Sequence, residues 1–110
     1  MRSSLSLRFD GNGQANTRLA ITGCQFRTIG LEVSDFSIVH VASNLVAGPS
    51  NWEFGDISTR LNFLANTFWN NATVTIDALT AATPKFAAND ISGLNLTNNS
   101  GQAEIMAANV

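Results

Sequence analysis

Apolar residues along this chain come in short runs of three to six, alternating with polar or small residues and broken by Gly, Asn, Ser and Pro. Four runs share one outline: a large apolar residue, two mostly small residues, Asn or Cys, a spacer, and a second apolar residue. They are ITGCQF (Ile21–Phe26), VASNLV (Val41–Val46), FLANTF (Phe63–Phe68) and FAANDI (Phe86–Ile91). Their shared polar position, Cys24, Asn44, Asn66 and Asn89, advances in steps of 20, 22 and 23 residues, and MAANV adds Asn109 another 20 on. A second, alternating element follows each run: LEV (Leu31–Val33), WEF (Trp52–Phe54), VTI (Val74–Ile76) and LNL (Leu94–Leu96), with LRF (Leu7–Phe9) one turn earlier. Aligned on their first residues, these step by 24, 21, 22 and 20. Two registers therefore agree on a period near 22, the mark of a repeat architecture in which no unit buries its apolar face alone.

Longer matches support that alignment. TRLAITGCQF at Thr17 and TRLNFLANTF at Thr59 lie 42 residues apart, and LEVSDF matches WEFGDI at offset 21, both acids included. Helical repeats need two runs of about ten residues with apolar positions at 3.6 spacing, which are missing here. Leucine-rich repeats need a Leu-x-x-Leu-x-Leu frame, also missing. Period-two runs punctuated at GNG (Gly11), AGPSN (Ala47) and NNSG (Asn98) are strand and turn chemistry. A β-sandwich would also have short alternating strands, but it would not hold outward acids in register at offset 21. The pattern predicts all-β coils of two or three short strands stacked as a parallel β-helix of about five coils. Residues 7–110 form that domain, behind an N-terminal arm over residues 1–6. Stacking at roughly 4.8 Å sets each residue over its counterpart one period away. Inward positions then become apolar columns. The Asn positions become a corner ladder, with Asn tolerating left-handed turn geometry. Cys24 is expected as a small, buried, inert residue at the end of that ladder.

At ITGCQFRTIGLEV, FLANTFWNNATVTI and FAANDISGLNL the chain resembles right-handed parallel β-helix proteins of the pectin-lyase-like superfamily, over residues 7–110. The resemblance implies architecture more than activity. The superfamily holds polysaccharide lyases and hydrolases on one side, and bacteriophage tailspikes and related virion proteins on the other. An Asn/Thr/Ser-rich, charge-poor, Cys-poor composition looks more like the phage group. Five coils are fewer than the enzymes usually have, and open ends leave strand edges unpaired. The chain is therefore expected to be a fragment, a homo-oligomer with a trimer favoured, or a subunit docked on neighbouring virion proteins.

Composition narrows the function classes. Of the 110 residues, 45% are hydrophobic, enough for one core, and only 13% are charged, about half the usual 25%. Eight acids and six bases give a net charge of -2 with no basic stripe, which argues against a nucleic-acid partner. MRSSLSLRF lacks the apolar run of a secretory signal, and no segment approaches the roughly 18 apolar residues of a membrane span. Location on a virion follows from the phage resemblance alone. No cofactor is implied. The sequons at Asn71, Asn95 and Asn98 reflect the abundance of Asn, Ser and Thr.

The most suggestive chemistry is acidic. Glu32 and Glu53 are the outward centres of LEV and WEF, with Asp35 and Asp56 three residues further on. Adjacent coils pair these acids, with Arg8 below Glu32, and Thr75 and Asn95 continuing the column above. Carboxylates about 5 Å apart suit a retaining glycosidase, which makes Glu32 and Glu53 weak catalytic candidates. Clustered ones suit Ca²⁺, which makes Asp35 and Asp56 weak metal candidates. The plainer reading is a solvated outer face. Trp52 is expected in the core by register. Trp69, beside Asn70 and Asn71, is expected to face outward as a platform for a glycan or a protein partner. His40, between Val39 and Val41, is expected outward or at an interface, with no Ser or Cys partner for catalysis. The expected function is a non-catalytic structural or binding piece of a phage particle, with a polysaccharide lyase or glycoside hydrolase as the alternative.

Overall fold

The computed structural model describes residues 5–110, all β, wound as a parallel β-solenoid of about five coils of roughly 22 residues. The first coil contains β1 (Leu5–Asp10), β2 (Arg18–Thr22) and β3 (Gln25–Arg27). The second contains β4 (Ile29–Ser34), β5 (Ile38–Ala42) and β6 (Leu45–Ala47), and the third β7 (Asn51–Gly55), β8 (Arg60–Leu64) and β9 (Thr67–Trp69). The fourth holds β10 (Ala72–Ile76) and β11 (Pro84–Ala87), and the fifth β12 (Leu94–Asn98) and β13 (Ile105–Ala107). Successive coils build three parallel sheets: sheet 1 is β1-β4-β7-β10-β12, sheet 2 is β2-β5-β8-β11-β13, and sheet 3 is β3-β6-β9. A bridge from Thr67 to Asp90 carries sheet 3 into the fourth coil. Of the arm expected over residues 1–6, residues 1–4 lie outside the described part, and Leu5 and Ser6 begin β1. Among the described residues no helix is long and apolar enough to cross a membrane.

Period-two alternation turns into columns once the coils stack. Leu7, Leu31, Trp52, Val74 and Leu96 form one inward column, and Ile21, Val41, Phe63, Phe86 and Met106 another. Trp52, Phe54, Phe63, Phe68 and Phe86 are all buried, and Phe63 stacks flat on Phe86 with ring centroids 4.4 Å apart. Each such side chain contributes roughly 1.5–3 kcal/mol by leaving water. Trp52 is a core residue, meeting Phe26 edge-on at 4.9 Å. Its buried indole N–H has no hydrogen-bond partner among the described residues.

The LNL register needs correction. Val74 pairs with Leu96, not Leu94, and Leu94 pairs with Ala72. The step is therefore 22, and Thr97 rather than Asn95 tops the Glu32–Glu53–Thr75 column. The LNLTN strand offers apolar residues at both Leu94 and Leu96, and the short motif alone could not choose between them.

The Asn ladder forms as expected. The Asn66 side-chain oxygen accepts from the Asn44 backbone N–H and carboxamide, both at 3.0 Å, and the Asn66 carboxamide donates to the Val41 carbonyl at 2.9 Å. Asn89 repeats this toward Asn66 and Phe63, and Asn109 toward Asn89 and Phe86. Asn44, Asn66 and Asn89 are buried, so these bonds prevent a desolvation cost of about 1–3 kcal/mol per unpaired group.

Two local expectations differ. The left-handed corner residue is not Asn but the one before it: Gly23, Ser43, Ala65, Ala88 and Ala108 have φ between 54° and 66°. That leaves the Asn free to point inward along the stack. Cys24 is exposed rather than buried, because it heads the ladder in the first described coil. Its backbone N–H donates to the Asn44 side-chain oxygen at 3.0 Å, and its thiol to the Thr22 carbonyl at 3.3 Å.

Candidate functional site

Alternation on sheet 1 turns Arg8, Glu32, Glu53, Thr75 and Thr97 outward as one column, with Glu32 and Glu53 directly paired across β4 and β7. Both glutamates are exposed. They line an open groove of about 560 Å³ that also takes in Asp56, Asp77 and Asn99. The sheet therefore brings the two catalytic candidates together at adjacent-strand spacing, roughly 4.8 Å between backbones.

Beyond the strand ends lies a second acidic row. Asp35 and Asp56 are both left-handed, with φ of 63° and 55°. Partial burial, then the neighbouring Asp56 and Asp10 carboxylates, push the Asp35 carboxyl above the usual range. Asp77 was not singled out from sequence. It occupies the place after VTI that Asp10 occupies after LRF, a signal visible in the repeat. Its side-chain oxygen accepts from the Leu79 N–H at 2.8 Å. Asp35 and Asp56 do come together, but no group of three or more His, Cys, Asp or Glu able to hold a metal ion is assembled among the described residues.

Trp69 stands at the end of β9, outward and 53% exposed, in register with Ala47 and Arg27 below it. Two features fix its backbone. Asn70 and Asn71 take left-handed φ values of 57° and 62°, and the Asn70 carboxamide donates to the Gly48 carbonyl at 3.1 Å. Above it, Gly93 passes so close that an added Cβ would meet the Trp69 Cα. The candidate platform Trp69, Asn70 and Asn71 is thus a surface corner on a rigid support. It lies on sheet 3, away from the acids of sheet 1.

Sheet 2 has a different character. Its outward columns contain Arg18, Ile38 and Arg60, then Ala20, His40, Asn62, Lys85 and Ile105, then Thr22, Ala42, Leu64, Ala87 and Ala107. His40 faces outward beside Asn62, on the rim of a shallow hollow of about 100 Å³ with Leu64 and Lys85. Its described surroundings offer no Ser or Cys nucleophile. Arg18 and Arg60 belong to the repeated TRL motif, which marked the period without indicating that both bases share one face. No family model, no curated protein and no solved structure matches this chain.

Proposed function

We propose that this chain is a non-catalytic structural and binding module, a rigid solenoid that displays its faces for assembly and its Trp69 corner for a glycan. The supporting observation is the Asn ladder running from Asn44 to Asn109, flanked by continuous apolar columns. These spend the repeated residues on stiffness and leave the non-repeating outward ones for contacts. A bacteriophage particle is the setting we favour, as tailspike, tail fibre or another virion surface protein, on the resemblance of the coil outline and the charge-poor composition.

A polysaccharide lyase or glycoside hydrolase is the second reading, favoured by the direct pairing of Glu32 and Glu53 inside an open groove. Catalysis of that kind needs one carboxyl held protonated and a gripped sugar ring beside it. Here both glutamates are exposed and the exposed Trp lies on another sheet.

Incubating the chain with neutral and acidic polysaccharides and assaying new reducing or unsaturated ends separates the two readings. The display reading expects no cleavage, and binding of any retained glycan weakened about tenfold (about 1.4 kcal/mol) by Trp69→Ala. Cleavage by the natural chain that Glu32→Gln with Glu53→Gln abolishes, the fold being intact, would overturn it.

A further inference from the structure

The charges of this nearly uncharged protein are sorted by face. Asp10, Glu32, Asp35, Glu53, Asp56 and Asp77, six of the eight acids in the chain, lie on sheet 1 or just past its strand ends, with Arg8 the sole base among those strands. Sheet 2 is the reverse. Arg18, Arg60 and Lys85 project from it with His40, none of its five strands contains an acid, and the one acid adjoining a strand end, Glu104 before β13, accepts from the Asn98 carboxamide at 2.7 Å. Apolar surface lies among those bases, since Leu64 is 41% and Ile105 50% exposed.

We infer that the sheet 2 face of one copy docks side by side on the sheet 1 face of a second copy of this chain, axes parallel. This deepens the assembly half of the proposed function and rests on it. The two faces are cut by the same coils, so their charged residues sit at multiples of one pitch of roughly 4.8 Å. Parallel copies therefore set the acids of sheet 1, spread over the first four coils, against Arg18, Arg60 and Lys85 on the first, third and fourth coils of sheet 2. Complementary fields of this kind steer association and reject the like-charged pairings, acid on acid or base on base. The contact is heterologous. Each docked copy still offers one unmatched face, and growth continues until a ring closes or an open layer forms.

Size sets the strength. Five strands at ~4.8 Å by about five residues at ~3.3 Å cover on the order of 400 Å². That is below the ~800 Å² per partner of a standard stable interface, so association is weak and salt-dependent.

Sedimentation equilibrium of the full chain at submillimolar concentration tests this. At low salt the weight-average mass should exceed the 11.7 kDa of one chain. It should return to that value at about 1 M salt, where the screening length is ~3 Å. Arg60→Glu with Lys85→Glu should be monomeric alone, as should Glu32→Lys with Glu53→Lys. Mixing the two should restore association, because each then presents the face the other needs. Far-UV circular dichroism confirms that each variant keeps its strands, and the rescue by mixing guards against loss through misfolding. A natural chain that stays at one-chain mass in low salt, a mass unmoved by either swap, or a mixture that fails to associate would each overturn the inference. A monomer that still binds glycan at Trp69 would do so while leaving the display reading intact.

Discussion

At Ala65 the backbone has φ of 54° on an exposed corner, a conformation that costs an L-residue about 1–2 kcal/mol. The sequence pointed to the neighbouring Asn for that role, since the familiar left-handed residues are Gly and Asn, and gave no sign of Ala. Asn44, Asn66 and Asn89 do not have positive φ, and their carboxamides reach the coil above and the strand below. The residue before each of them absorbs the turn instead. The first coil already has Gly23 there, whereas later coils have Ser43, Ala65, Ala88 and Ala108. Ala65→Gly should therefore stabilise the protein. The relieved strain exceeds the ~0.4–1 kcal/mol of extra chain entropy lost by Gly, for a net gain of about 0.5–1 kcal/mol. Urea denaturation midpoints would read this directly, and a lower midpoint for the variant would contradict the assignment of strain.

Between elements, the columns explain both what could be read and what could not. Strands with one inward set, such as WEF and VTI, paired as the period required. LNLTN slipped by two because a two-residue shift keeps the same face inward, so alternation cannot detect it. Cys24 was misplaced for a related reason: a column position predicts burial only when coils lie on both sides of it. The outward acids at offset 21 were legible, whereas the segregation of bases onto sheet 2 was not, because it emerges only when strands 20 to 23 residues apart become neighbours.

The acid column also makes a pH prediction. Asp35 has its folded-state affinity for a proton raised by burial and by Asp56 and Asp10. The folded state therefore holds that proton more tightly than the unfolded state. Its contribution to stability is fully present below the unfolded pKa and is lost as pH rises through the folded one. Asp35→Asn keeps a residue tolerant of the left-handed backbone and removes the repulsion. Thermal melts should show the variant more stable than the natural chain at pH 7, with the difference shrinking as pH falls below the usual Asp range. Equal melting temperatures at pH 7 would count against the crowding of these carboxylates.

Taken whole, the molecule is a short stiff prism whose interior is spent on stacking and whose three faces differ: acidic on sheet 1, basic and partly apolar on sheet 2, and aromatic at the Trp69 corner of sheet 3. Under the proposed function, these faces are what the module presents to its partners. The most direct measurement of that claim is small-angle scattering of the full chain across a concentration series at low ionic strength. A module that assembles side by side should show a radius of gyration rising well above the 13.0 Å of one Cα trace, with the cross-section across the solenoid axis widening and then collapsing in high salt. A radius that stays at the one-chain value at every concentration, or growth along the solenoid axis alone, would contradict it.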